Sequence, residues 1–146
     1  MLSIRHYEDQ DLEQATKGYM ETFAQEPWNE QWPKELAQTR LSELLSGPQG
    51  RGYVCFLDEK LAGVMCGRLI TFLHGREYFI DEFFVLSGMQ GKGIGTAMIE
   101  HAKQELKAEG FVNIVLNTEK GYPAERFYLK NGFCHMESLT FMYLDI

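Results

Sequence analysis

The stretch Gln90-Gly91-Lys92-Gly93-Ile94-Gly95-Thr96 decides how this chain is read. Before it lies Tyr78-Phe79-Ile80-Asp81-Glu82-Phe83-Phe84-Val85, with the aromatic and β-branched content of a buried strand. After it, Thr96 to Glu109 contains no proline or glycine and reads as helix. A strand, a glycine turn and a helix N-terminus together make an anion site. The first amides of a helix have no internal partners, and the positive end of its dipole points outward. Spacing excludes two common phosphate loops. G-x-x-x-x-G-K-[ST] fails because Leu86 holds the leading position and Gly93 follows Gly91-Lys92. G-x-G-x-x-G fails because Met98 stands where the third glycine belongs.

The pattern that fits is Q-x-x-G-x-G, met by Gln90, Gly93 and Gly95. Downstream, Ala124-Glu125-Arg126-Phe127-Tyr128-Leu129-Lys130-Asn131-Gly132-Phe133 reads A-x-x-F-Y-x-K-x-G-F. In this order the two motifs resemble the coenzyme A loop and the following helix of the GNAT superfamily of N-acetyltransferases. Local chemistry agrees: Pro123 suits a first helical turn, and Asn131-Gly132 is a helix stop. Pro27-Trp28-Asn29-Glu30-Gln31-Trp32, taken with Asp81 to Val85, resembles aminoglycoside 6'-N-acetyltransferase-like members.

Bulk properties bound the rest. A chain of 146 residues is one domain with room for its own core, here residues 1–146. No apolar run approaches the roughly 20 residues of a membrane span, and no signal peptide is read at Met1-Leu2-Ser3-Ile4-Arg5. Cys55, Cys66 and Cys134 are widely spaced and read as reduced thiols of a cytoplasmic protein. His6, His74, His101 and His135 are scattered singly, so no metal site is expected. The net charge of −7 leaves no basic face for nucleic acid and favours a cationic ligand.

Periodicity and turn signals order the elements. Ser3 to Tyr7 reads as a strand, and helices follow from Asp9 or Asp11 to about Ala24 and from near Pro33 to Ser46. Tyr53 to Leu57, Leu61 to Phe72 and Glu77 to Leu86 read as antiparallel strands joined by tight turns. The loop helix then crosses over to a parallel strand at Val112 to Asn117. Pro123 to Asn131 is the last helix, and Phe133 to Asp145 supplies one bent strand or a hairpin. The expected class is α+β, a mixed sheet in a three-layer α/β/α arrangement. The resemblance implies the GNAT acyl-CoA N-acyltransferase fold, β-α-α-β-β-β-α-β-α-β, with the strands flanking the loop helix splayed apart.

Acetyl transfer to an amine needs a neutral nucleophile, because an alkylamine is only on the order of 0.1% neutral at pH 7. The resemblance assigns parts to residues. Gly91, Lys92, Gly93, Ile94, Gly95 and Thr96 cradle the acetyl-CoA diphosphate, with Gln90 fixing the loop. Main-chain groups of Phe84 and Val85 hold the pantetheine, the Val85 N–H is a candidate oxyanion donor, and Tyr128 protonates the thiolate. Glu82 is the expected base, with Asp81 as alternative; successive strand residues point to opposite faces, so the two do not share a role. Many members carry asparagine where Gly121 stands here, and Asn117 is the candidate replacement contact. Glu26, Trp28, Glu30 and Trp32, with Asp81 and Glu82, form the expected acceptor site, since aromatic faces and carboxylates suit a cationic amine.

The expected activity is transfer from acetyl-CoA to a primary amine of an aminoglycoside-like molecule or polyamine, by direct attack. A protein or peptide amine is the alternative within that chemistry, and a non-catalytic acyl-CoA sensor lies outside it. No membrane partner is expected. The family is often dimeric, which leaves a homodimer open.

Overall fold

The computed structural model describes all 146 residues. Five strands and four helices follow in order: β1 (Leu2–His6), α1 (Leu12–Phe23), α2 (Lys34–Leu45), β2 (Gly50–Leu57), β3 (Lys60–Phe72), β4 (Gly75–Val85), α3 (Ile94–Ala108), β5 (Asn113–Leu116) and α4 (Pro123–Lys130). A 3-10 turn at Asp9–Asp11 leads into α1. Asp11 does not cap α1 with its side chain. Both its carboxylate oxygens instead accept from the Arg5 guanidinium at 2.8 Å, and one also accepts from the Glu8 amide. That arrangement ties β1 to the start of the first helix.

The sheet order is β1-β2-β3-β4-β5, antiparallel except for the parallel β4–β5 pair. This is the mixed sheet expected from the hairpins and the helical crossover. Each face buries its own core. Tyr53, Cys55, Met65, Tyr78 and Ile80 pack beneath Ile94, Met98, Ala102 and Leu106 of α3. On the other face Val54, Val64, Cys66 and Phe84 meet Ala15 and Tyr19 of α1 and Ala37 and Leu41 of α2. Met98 and Leu41 are fully buried, and truncating either to alanine should cost about 2–5 kcal/mol.

One irregularity matters most. Cys66 of β3 opposes Glu82, but the next residue, Gly67, opposes Ile80, so Asp81 is an extra residue in β4. A bulge of this kind reverses which side chains face which side. Before it, Tyr78 and Ile80 face the α3 core; after it, Phe83 and Val85 do, while Phe84 turns to α1 and α2. Beyond the bulge β4 also loses its neighbour. Pairing with β5 runs only from Glu77↔Asn113 to Ile80↔Leu116, while β4 continues to Val85. A gap opens between the two strands at that point, beside the glycine loop.

The expected strand or hairpin at Phe133 to Asp145 is not formed. Phe133 packs against Tyr128, but no residue after α4 belongs to a helix or strand. The residues have strand propensity, but none of them pairs with the sheet.

Candidate active site

The glycine loop sits where β4 ends. Gly91 and Gly93 have φ of +76° and +75°, left-handed values that a Cβ makes unfavourable. Gly93 is the N-cap of α3, and no side chain caps that end. The amides of the first turn therefore open to solvent, as a bound diphosphate would need. Gln90 fixes the loop to the strand by donating from Nε2 to the Val85 carbonyl at 3.2 Å. Gly95 is buried for a steric reason: a Cβ there would stand 2.9 Å from Cζ of Phe127, so glycine lets α4 approach α3. Lys92 and Thr96 are exposed at the mouth, and the Ile94 side chain belongs to the core.

Backbone alternation shows what the gap offers. The Leu86 amide donates to the Ala62 carbonyl, which fixes Leu86 and then Phe84 as residues whose N–H and C=O groups face β3. Phe83 and Val85 face the other way, into the gap left by β5. The expectation for Phe84 is therefore corrected: its main chain is committed to β3, its ring is buried with Tyr19, and Phe83 takes its place beside Val85. An amide-rich pantetheine matches the Phe83 groups and the Val85 N–H, the Val85 carbonyl already accepting from Gln90. The uncapped helix and the open strand edge fit acetyl-CoA.

Across the gap, α4 brings up Tyr128. Its ring lies 6.4 Å from that of Phe83 and 5.3 Å from that of Phe133, and its hydroxyl has no partner within the chain. Burial, and then the charge of Glu82, pushes the Tyr128 phenol above its usual value of 10.0. The hydroxyl therefore keeps its proton at neutral pH. Asn117 lies exposed just past β5, and Gly121 adopts φ +81° where a side-chain amide is absent.

Glu82 points to the α1 and α2 side because of the bulge. Its Oε2 is buried without a hydrogen bond, and Arg40 Nε stands 3.8 Å away, beyond hydrogen-bond range. Burial raises the Glu82 carboxyl above its ordinary value of 4.5, and the charges of Glu30 and Asp81 act the same way; the Tyr19 hydroxyl and Arg40 oppose them. Asp81, the other candidate base, is held differently. Arg68 clamps it through Nε at 2.7 Å and an η-nitrogen at 2.9 Å. The bulge turns Asp81 to the same side of the sheet as Glu82, so the expectation that the two face opposite ways is corrected. Both Asp81 oxygens are thus engaged by Arg68, whereas Glu82 Oε2 has no such partner.

An aromatic wall leads outward from Glu82. The Tyr19 ring meets those of Phe23 at 4.7 Å, Trp32 at 5.1 Å and Phe84 at 5.6 Å, and Phe23 meets Trp28 at 5.0 Å. Trp32 Nε1 donates to Glu30 at 2.8 Å, which holds that carboxylate at the rim. Glu26 is exposed in the same turn. Arg40, a lone cation on α2, carries no sequence signal of a role here. Neither Tyr19 in α1 nor Phe83, one aromatic among several in β4, belongs to a sequence motif.

The family model described as Acetyltransferase (GNAT) family matches residues 12–133. A possible acetyltransferase from Clostridium difficile 630 shares the fold with a TM-score of 0.85 at 18% identity, over 100% of this chain and 99% of that one. AAC(6')-Iy, in complex with the bisubstrate analog CoA-S-monomethyl-acetylneamine, gives 0.77 at 14% identity over 100% and 99%. A ribosomal-protein-alanine N-acetyltransferase from Brucella melitensis biovar Abortus 2308 gives 0.79 at 14% over 99% and 100%. No curated protein matches the chain in sequence. At such identities these structures speak for the fold, whereas the family match spans most of the chain and includes both the glycine loop and the Tyr128 helix. The chain belongs to the GNAT acetyltransferase family and is an acetyl-CoA-dependent transferase.

Proposed function

We propose that the protein acetylates a primary amine of a cationic small molecule, aminoglycoside-like or polyamine, by direct attack in a ternary complex. The observation that carries this reading is the buried Glu82 carboxylate, short of one hydrogen bond, at the inner end of an aromatic and acidic wall. A carboxylate in that condition attracts an ammonium group and can then take a proton from it. Trp28 and Trp32 supply ring faces for the rest of a cation, and Glu26 and Glu30 supply charge at the rim.

Bound acetyl-CoA supplies the thioester, whose acyl carbon forms a C–N bond to the amine as its C–S bond breaks. Glu82 accepts the amine proton, directly or through one water. The Val85 N–H donates to the acyl oxygen as negative charge develops there. Tyr128 delivers its proton to the departing sulfur. Gln90, the amides of Gly91 to Gly95 and Thr96 hold the diphosphate, with Lys92 at the mouth. Cys66 faces Glu82 across the strands, but complete burial pushes its thiol far above the usual value. It is no nucleophile at neutral pH, and this supports direct attack over an acyl-enzyme.

The free thiols of Cys55, Cys66 and Cys134 fit a reducing compartment, and we place the reaction in the cytoplasm. The test is to incubate the protein with acetyl-CoA and a panel of aminoglycosides, polyamines and peptide amines while following thiol release. Saturable turnover on a cationic small amine supports the reading. Turnover confined to a peptide amine, or none on any amine despite cofactor binding, overturns it.

A further inference from the structure

One charge in the acceptor site works against the reaction. Arg40 Nε stands 3.8 Å from Glu82 Oε2, beside the carboxylate that has to receive an ammonium group and take its proton. A cation there weakens the base and repels a second cation arriving next to it. Nothing within the chain offsets that disadvantage. The ion pair is too long for a hydrogen bond, and the guanidinium makes no other polar contact. Arg40 therefore brings several unused N–H donors, and no acceptor, to the side of the base. Its side chain is 41% exposed, so those donors are open to a ligand.

The surroundings lead a ligand to this point. Pro33, Leu36 and Arg40 follow one stripe of α2 at spacings of three and four residues. At the start of the stripe lies a cavity of about 340 Å³, lined by Glu30, Gln31, Trp32, Pro33 and Leu36. Leu36 is exposed, so with Trp32 it gives the cavity apolar surface, while Glu30 gives it charge. An acceptor whose body rests there extends along α2 toward Arg40 and Glu82. A linear polyamine presents only positive charge and N–H donors at neutral pH, and Arg40 finds nothing on it to bind. An oxygen close to the reacting nitrogen changes the balance. In a gauche N–C–C–O unit the nitrogen and oxygen are roughly 3 Å apart. That matches the 3.8 Å between the carboxylate and the guanidinium, so the nitrogen can lie on Glu82 while the oxygen accepts from Arg40.

We propose that Arg40 is a specificity-determining residue, and that the acceptor carries a hydroxyl or ether oxygen on the carbon next to its aminomethyl carbon. This inference rests on the amine chemistry proposed above and narrows it, favouring an oxygen-rich cation over a linear polyamine.

Tetrahydropyranylmethylamine, in the isomer whose ring oxygen adjoins the substituted carbon, is compared with cyclohexylmethylamine. The two share size and charge and differ by that one oxygen. Each is measured, at saturating acetyl-CoA, as a competitor of whichever small amine the protein acetylates. The ether should compete about 10–100-fold more tightly, the range for a hydrogen bond from a charged donor. Arg40→Met should bring the ratio close to one. Loss of the guanidinium also alters Glu82, but this acts on both probes alike and cancels in the ratio. Equal competition in the unaltered protein overturns the inference, and so does a preference that survives in Arg40→Met. If the variant does not fold, the ratio in the unaltered protein still decides. Both failures leave turnover intact. Absence of turnover on every small amine is instead a failure of the amine reading, and the inference falls with it.

Discussion

Arg40 Nε lies 3.8 Å from Glu82 Oε2, close enough to steady the anion but too far to satisfy it. α2 thus sets the proton affinity of a carboxylate on β4. Burial raises the Glu82 carboxyl, and Tyr19 and Arg40 hold it back. Removing the guanidinium takes away a lowering influence, so the carboxyl binds its proton more tightly. Arg40→Gln should move the acidic limb of the pH–rate profile to higher pH, by about one unit for each ~1.4 kcal/mol of lost attraction. Kinetics across pH 5–9 would show it. A limb that stays in place would mean that Arg40 does not act on the base.

Cofactor affinity should depend on the backbone of the glycine loop. Gly93 caps α3 at φ +75°, and alanine in that conformation costs about 1–2 kcal/mol. Strain relieved by shifting the loop would misalign the diphosphate amides. Gly93→Ala should weaken coenzyme A binding by about tenfold, which calorimetry would measure directly. Unchanged affinity would place the diphosphate elsewhere.

Tyr128→Phe removes only a hydroxyl that has no partner in the chain. General acid catalysis is worth roughly 10²–10⁴-fold, so kcat should fall in that range while coenzyme A affinity holds. A loss below about threefold would take Tyr128 out of the proton path.

Stability should respond to acid through Asp11. The Arg5 guanidinium, with help from the Glu8 amide, holds the buried Asp11 carboxyl below its ordinary 3.8. A depressed carboxylate stabilises the fold fully above its unfolded value and loses that contribution as pH falls through the folded value. Asp11→Asn should therefore lower stability by about 1.5–3 kcal/mol at pH 7 and flatten the loss below pH 4. Urea unfolding at several pH values checks the slope.

Much of this was legible in the sequence because local signals agreed with the fold. Gly91, Gly93 and Gly95 each announce a backbone need, and Ala124, Phe127 and Tyr128 share a helix spacing that survives in α4. What escaped depended on geometry between distant elements. Simple alternation separates Asp81 from Glu82, but the bulge turns both to the same side of the sheet. The main chain of Phe84 defies the expectation because its hydrogen-bond direction is set by Val64 of β3, twenty residues earlier in the chain. Arg40 joins the site only because α2 packs over β4. The strand propensity of the final segment is genuine, but propensity does not say which sheet a strand will join.

The most direct test of the account is the pH–rate profile of Glu82→Gln on an amine that the unaltered protein acetylates. The account predicts a fall in kcat/KM of roughly 10²–10⁴-fold and loss of the acidic limb, with acetyl-CoA affinity unchanged. A variant that keeps both its rate and its acidic limb would contradict the assignment of Glu82 as the base, and with it the reading of the cleft around it.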